Sequence, residues 1–316
     1  MTLTQTVTVK RLWDETPEIR CFELAPADGA PLTFEPGAHV EVHLPDKMVR
    51  QYSLWNGPAD QSSILIGVKK EPQSRGGSVA MHSLCEGDTL VIGAPRNNFA
   101  LHDNDGPAIL LAGGIGITPL LAMARHRVAQ GRPSTLHLFA RDATHAPFQR
   151  ELSDLPEAPV HLGLNPPTLN KVIGGILSNP DPLAHLYLCG PGPFMDLVEL
   201  EAVLVGWAAD HIHLERFSID PDALELDGDS FEVVLRQSGK TIQVGPEQTI
   251  IAAMESAGIE PLTSCEQGVC GTCMTTVVDG VPDHRDQYLN DDEKASGTLI
   301  MPCVSRCKGP RLVLDL

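Results

Sequence analysis

Cys265-Glu266-Gln267-Gly268-Val269-Cys270-Gly271-Thr272-Cys273 sets three cysteines in a C-x4-C-x2-C run, and Cys303 follows after twenty-nine intervening residues. This is the spacing of four thiolates that hold a two-iron, two-sulfur cluster. Three sulfurs that converge on one small group need a tight loop. Gly268 and Gly271 let the backbone fold around it and turn N–H groups toward the sulfurs. A zinc site, the rival reading, would normally use two C-x2-C knuckles, and only one is present. Cys307 competes with Cys303 for the fourth position. The spacing favours Cys303 and leaves Cys307 an unligated thiol.

Outward from this loop the chain reads as three segments. Residues 231–316 hold the cysteine loop, with a hairpin signal at Ser238-Gly239 between Phe231–Leu235 and Thr241–Val244, and a helix over Thr249–Ala257 stopped by Gly258. Ahead of them, 218–230 is acidic, with Pro and Gly and no apolar periodicity, and reads as a linker. Residues 104–217 alternate strand and helix: Ile109–Ala112, Leu120–Ala129, Leu136–Ala140, His185–Cys189. That alternation predicts a doubly wound α/β domain. Residues 1–103 carry short strands at Val7–Leu12, Arg20–Leu24, His39–Leu44, Arg50–Trp55, Ile64–Lys69 and Thr89–Gly93, as a small antiparallel barrel does.

A net charge of −18 repels phosphate backbones, so nucleic acid is an unsuitable partner and a basic protein a better one. The start reads as a strand, not as a secretory signal. The uncharged run Pro107–Ala124 is broken at its centre by Gly113, Gly114, Gly116 and Pro119, which argues against a membrane span. Cys21, Cys85, Cys189 and Cys307 are scattered. With a thiolate site beside them, they point to a cytoplasmic protein, not a disulfide framework.

The last ninety or so residues resemble a plant-type ferredoxin domain. The whole chain resembles the phthalate dioxygenase reductase family, which includes reductase components of aromatic demethylases. The resemblance rests on the cysteine loop, on D-H-R-D at Asp283–Asp286, on Asp291-Asp292-Glu293-Lys294, and on M-P-C-V-S-R at 301–306. It implies a multidomain β, α/β and α+β protein: an antiparallel flavin-binding β-barrel, a doubly wound NAD-binding domain and a β-grasp plant-type ferredoxin domain.

The resemblance also implies site residues. Arg50-Gln51-Tyr52-Ser53 is similar to the R-x-Y-S signature of ferredoxin-reductase-type flavin domains. Arg50 would give paired donors to a phosphate, Tyr52 would cover the flavin face, and Ser53 would reach the flavin near N5. Gly76-Gly77-Ser78, before a helix expected at Val79–Leu84, would support the flavin phosphate, with a plain serine-capped turn as the alternative. No segment offers itself for an adenosine, so FMN is implied over FAD. Gly113-Gly114-Ile115-Gly116-Ile117-Thr118-Pro119 is the implied dinucleotide turn, with Thr118 close to the flavin. Cys189-Gly190-Pro191 would lie beside the nicotinamide, with Cys189 a small packing residue and not a nucleophile. Phe217 is either an aromatic cover for the flavin or a core side chain. Arg141 stands next to Asp142, whose carboxylate would repel a 2′-phosphate, so NADH is implied.

Nicotinamide gives two electrons as hydride, a two-iron cluster takes one at a time, and flavin handles both. The implied path runs from NADH through FMN and the cluster to an external acceptor. The chain has no C-x-H and C-x2-H pair for a Rieske centre. The resemblance therefore implies a terminal Rieske non-haem iron oxygenase acting on an aromatic or similar small substrate. A cytochrome-type monooxygenase, another carrier, or a redox-sensing role are the alternatives. Residues 226–316 hold fourteen acidic against seven basic side chains, a net of −7. Asp283, Asp286, Asp291, Asp292 and Glu293 are the expected docking face, against the reading that the charge serves solubility alone.

Overall fold

The computed structural model describes residues 4–45, 48–59, 61–217 and 227–316. The chain divides into two compact units, Met1–Arg216 and Phe217–Leu316. Of the linker expected at 218–230, residues 218–226 lie outside the described residues.

In the first unit, short alternating stretches form β1 (Thr4–Asp14), β2 (Ile19–Pro26), β3 (His39–His43), β4 (Val49–Ser53), β5 (Ile64–Lys69), a helix α1 (Gly77–His82) and β6 (Thr89–Gly93). The strands pair antiparallel in the order β4-β3-β6-β1-β2-β5. A bridge between Leu54, just past β4, and Ile66 of β5 joins the two edges into a barrel. Its interior takes alternate residues such as Val40 and Val42 of β3 and Ile64 and Ile66 of β5. Helix α1 starts two residues earlier than the sequence predicts. Gly76, at φ 90°, takes the cap position, so Gly77 and Ser78 belong to the first turn and do not precede it.

The same unit continues with β7 (Ala108–Gly113), α2 (Ile117–Ala129), β8 (Ser134–Ala140), α3 (Gln149–Ser153), β9 (Val160–Leu162), α4 (Pro166–Leu177), β10 (His185–Cys189), α5 (Gly192–Leu204) and β11 (Ile212–Glu215). These strands are all parallel, in the order β11-β10-β7-β8-β9. Strand β10 is buried along its whole length, as a central strand covered on both faces must be. Leu120, Leu121 and Met123 of α2 cover one face. Ile173 of α4 with Met195 and Val198 of α5 covers the other. The chain leaves β7 for β8 on one side, while β10 pairs on the other. This reversal opens a crevice at the carboxyl ends of β7 and β10. The uncharged run Pro107–Ala124 becomes β7, a turn and α2. Among the described residues no helix is long and apolar enough to cross a membrane.

The second unit holds β12 (Phe231–Leu235), β13 (Lys240–Val244), α6 (Ile250–Ser256), β14 (Thr275–Asp279), β15 (Pro282–Asp283), α7 (Asp291–Ser296), β16 (Leu299–Ile300), β17 (Arg306–Cys307) and β18 (Arg311–Leu314). The main sheet runs β13-β12-β18-β14-β16, with β12 and β18 parallel. The β12–β13 hairpin turns at Ser238-Gly239, where Gly239 has φ 68° and its N–H donates to the Leu235 carbonyl at 2.8 Å. Thr249 caps α6 by accepting from the Ala252 N–H at 3.0 Å. Ile250, Ala253 and Met254 then pack on Val233, Leu235 and Leu312. The loop that carries the first three cysteines runs between α6 and β14.

Candidate functional site

The cysteine loop gathers its thiols by giving up side chains elsewhere. Gly271, at φ 76°, lies against Tyr288, and a Cβ there would fall 2.2 Å from the ring. Gly268, at φ 71°, leaves the same kind of room for Val304. Glu266 also adopts a left-handed conformation, at φ 55°. The result brings Cys273 Sγ to 3.3 Å from Cys303 Sγ. The Gln267 N–H points at Cys265 Sγ at 3.3 Å, and the Cys270 thiol donates to the Thr272 hydroxyl at 3.4 Å. Hydrogen bonds from the Cys270 and Cys303 thiols, then from the Gln267 and Val269 N–H groups, hold the Cys265 thiol well below the ordinary thiol range against the opposing effect of burial. Four converging sulfurs with N–H groups aimed at them suit a thiolate-bound cluster. Cys307 lies on β17, packs against the sheet core and donates to the Arg311 carbonyl at 3.4 Å.

The two segments after the loop are tied together. Asp286 is buried and accepts from the Leu289 N–H at 2.8 Å and from the Ser305 hydroxyl at 3.2 Å. Its carboxylate therefore joins D-H-R-D to M-P-C-V-S-R and does not belong to an exposed docking face, contrary to the sequence expectation. Asp283 pairs with Arg285 at 3.0 Å. Glu293 closes a capping box with Asn290. Asp291 and Asp292 are the acids of that group left exposed.

On the barrel, the guanidinium of Arg50 donates to the Val49 carbonyl at 2.8 Å and to the Arg75 carbonyl at 3.1 Å. That lays it across the start of α1. Gly77 is bare where the arginine passes: a Cβ there would meet Arg50 Nε at 2.4 Å. Gly76 makes similar room for Met48. The structure thus brings Arg50, Gly76 and Gly77 together. Ser78 turns its hydroxyl inward, donating to Ser74 Oγ at 2.9 Å and accepting from the Glu71 N–H. Burial pushes the Tyr52 phenol up, so it stays neutral.

At the carboxyl ends of β7 and β10, a Cβ on Gly116 would fall 2.3 Å from the Cys189 carbonyl oxygen, and one on Gly113 would fall 2.7 Å from Pro191 Cδ. These glycines, with Gly190, are occupied by each other's backbone. Gly114, at φ 55°, has nothing within 4 Å of a Cβ and is the glycine of this turn that leaves open space. Thr118 is buried, donates to the Ile115 carbonyl at 3.1 Å, and packs near Gly67 of β5.

One residue at this crevice had no role in the sequence reading. Glu215 ends β11 in register with Cys189 and accepts from the Ser53 hydroxyl at 3.4 Å. Burial raises its carboxyl to about 8, with the Ser53 hydrogen bond opposing the rise. The signal in the sequence was a carboxylate closing the apolar strand Ile212–Leu214. Burial, and then the nearby Glu215, push the Cys189 thiol well up, which suits a packing residue and not a nucleophile. Phe217 is 41% exposed, so the core alternative for it does not hold.

Residues 233–308 match the model of the 2Fe-2S iron-sulfur cluster binding domain. The chain is 44% identical to the vanillate O-demethylase oxidoreductase of Pseudomonas sp. strain HR199 over 95% of its own length and 96% of that protein. Among solved structures, phthalate dioxygenase reductase, a modular structure for electron transfer from pyridine nucleotides to [2Fe-2S], superposes with a TM-score of 0.72 at 35% identity, over 99% of this chain and 98% of that one. An intact type IV self-sufficient cytochrome P450 monooxygenase matches with a TM-score of 0.85 at 32% identity, over 99% of this chain and 41% of the longer one. With relatives of this identity aligned over nearly the full length of both chains, the chain belongs to the phthalate dioxygenase reductase family of iron–sulfur oxidoreductases.

Proposed function

We propose that residues 1–103 bind FMN, residues 104–217 bind NADH, residues 218–230 link them to a ferredoxin domain at 231–316, and the whole is a cytoplasmic reductase that delivers single electrons to a terminal Rieske oxygenase. The observation that carries this reading is the union in one chain of a crevice where Ser53, Cys189 and Glu215 meet and a loop where four thiols meet. When bound, nicotinamide supplies hydride, flavin exchanges the electron pair for single electrons, and the cluster carries them one at a time.

The chain's own residues have these roles in the proposal. Arg50 offers guanidinium N–H groups to the flavin phosphate, with Gly76, Gly77 and Ser78 beside it, and Tyr52 lies along the flavin. Ser53 faces the reacting edge. Glu215, neutral at pH 7, is a positioning residue that orients the Ser53 hydroxyl. Gly114 receives the pyrophosphate, while Gly113, Gly116, Gly190 and Pro191 set the crevice walls; Thr118 and Cys189 close its floor. Cys265, Cys270, Cys273 and Cys303 hold the cluster. Phe217 stands at the exit from the NADH segment, exposed enough to meet a ligand. NADH is favoured over NADPH because the cation after β8 is already engaged: Arg141 donates to Glu18 at 2.9 Å, and Asp142 stands beside it.

Glu215→Gln should flatten the pH dependence of stability. The folded carboxyl keeps its proton up to about pH 8, whereas the ordinary value is 4.5. Between these values the unfolded chain binds fewer protons, so stability falls as pH rises. Glutamine carries no such proton. Melting temperatures of the holoprotein from pH 5 to 8 should fall by a few degrees more in the wild type than in Glu215→Gln, and parallel curves would contradict the buried neutral carboxyl.

The partner is tested by electron delivery. The exposed pair Asp291 and Asp292 is the part of the expected acidic face that remains available. Attraction between such groups and a basic patch is screened within about 8 Å at physiological ionic strength. Delivery to the Rieske oxygenase should slow several-fold as salt rises, while NADH reduction of the flavin stays nearly constant, and Asp291→Lys with Asp292→Lys should lose most of that dependence. The P450 match supports a second reading, in which a haem monooxygenase is the acceptor. Faster delivery to a cytochrome P450 than to any Rieske protein would favour it.

A further inference from the structure

Far from the crevice, at the opposite end of the parallel sheet, histidines from three places meet. His185 opens β10, and His213 lies in β11. The strand register pairs Tyr187 with His213. Side chains alternate along a strand, so His185, Tyr187 and His213 share one face of the sheet. His102 arrives from the segment between β6 and β7. Its ring stacks on His213 at 4.5 Å and on His185 at 4.8 Å between centroids. His185 Nδ1 lies 2.7 Å from His213 Nε2. One ligand nitrogen from each of His102, His185 and His213 falls within 4.8 Å of the other two.

Two imidazoles bound to one tetrahedral ion, each at about 2.0–2.1 Å, hold their nitrogens about 3.3 Å apart. The His185–His213 nitrogens, at 2.7 Å, would part by about 0.6 Å to reach that spacing, and a tautomer change in one ring frees both lone pairs.

The third ligand is held in place by its surroundings. The backbone N–H of His102 donates to the Tyr187 hydroxyl at 2.9 Å. The buried guanidinium of Arg127 donates to the Asn104 carbonyl at 3.1 Å, to the Pro133 carbonyl at 3.0 Å and to the Gly106 carbonyl. Gly106 has no side chain where the Leu183 carbonyl passes: a Cβ there would lie 1.9 Å from that oxygen. The loop is thus fastened to the segment that leads into His185. Of the neighbouring carboxylates, Asp103 and Asp105 both pair with Arg132, and Asp210 lies near enough to act on His185 and His213. The three donors that share the site are imidazoles. Nitrogen donors select Zn2+, Ni2+, Co2+ or Cu2+ over Mg2+ or Ca2+. His102 is exposed, which leaves one side open to a water as fourth ligand.

We propose that His102, His185 and His213 form a tri-imidazole site for a borderline divalent cation, and that the ion clamps the 102–106 loop to the start of β10 and β11. The opposing reading is that the rings only pack against one another. Zn2+ titration of the cluster-loaded protein, with two irons per chain verified so that the thiolates are occupied, decides between them. The wild type should take up one Zn2+ per chain and gain a few degrees in melting temperature. His102→Ala, a change on the exposed loop, and His213→Gln should each weaken that binding at least tenfold and lose the thermal shift. His161→Gln should keep both, since it removes only the contacts of His161 with His137, whose nitrogens lie 3.1 Å apart, and with the Phe139 ring. Co2+ in place of Zn2+ should give ligand-field bands without sulfur charge transfer. No binding to the wild type, unchanged binding in His102→Ala and His213→Gln, loss in His161→Gln, or sulfur charge transfer would each overturn the site.

Discussion

Cys303→Ser should yield a protein that still accepts hydride from NADH but passes no electrons to an external acceptor. Cys303 Sγ sits 3.3 Å from Cys273 Sγ and hydrogen-bonds to Cys265, so it is part of the thiol group itself. A hydroxyl at this place is a poor replacement for a thiolate ligand of iron. Visible absorbance from the cluster should fall to background, iron per chain should drop, and NADH-to-cytochrome c transfer should fall by at least about 100-fold, the scale expected when a redox centre is lost and not merely tuned. Cys307→Ser should leave all three readouts near the wild type, because that thiol faces β18 and the sheet core. Loss of the cluster in Cys307→Ser with retention in Cys303→Ser would reverse the ligand assignment.

Gly116→Ala should have the other large effect. A methyl group here would stand 2.3 Å from the Cys189 carbonyl oxygen and 2.7 Å from the Gly190 nitrogen. Both are backbone atoms and cannot rotate away, so the ends of β7 and β10 must part. Overpacking of this kind costs about 1–3 kcal/mol of stability. The cost to function should be larger, because the same movement displaces the walls of the NADH crevice, and a misplacement of about 1 Å can cost about 100-fold in rate. Stopped-flow reduction of the flavin by NADH should show the loss in kcat/KM. Gly114→Ala, at φ 55° but facing open space, should instead act through backbone strain, with a smaller loss that falls mainly on NADH affinity. Equal effects from both substitutions would show that the two glycines are not distinguished as the packing indicates.

Much of this was legible in the chain before any coordinates. The barrel strands and the strand-turn-helix around Gly113–Pro119 announce themselves by period-2 and apolar patterns bounded by Gly and Pro. Other elements did not. Helix α4 begins Asn165-Pro166-Pro167 and carries Gly174-Gly175 inside it, which weakens its propensity; the Asn165 cap and tertiary packing through Ile173 and Leu177 carry it. In the sequence, helix α7 shows only a run of acids. In the fold those acids occupy the first turn, where a helix dipole favours them, behind a capping box. Asp286 shows the limit of charge counting: it lies three residues from the less buried Asp283, yet burial and three donors make it a structural pin. Glu215 was invisible for the same kind of reason, since its partner Ser53 is 162 positions away and only the fold brings them together.

The central claim is that one chain holds one FMN and one two-iron cluster and uses NADH to fill both. Anaerobic titration of the purified protein with NADH, alongside flavin identification after denaturation and iron analysis, tests it most directly. A flavin takes two electrons and the cluster one, so about 1.5 equivalents of NADH per chain should complete the reduction. The released flavin should be FMN, with two irons per chain. An endpoint of one equivalent with a bound zinc, or release of FAD, would contradict the account.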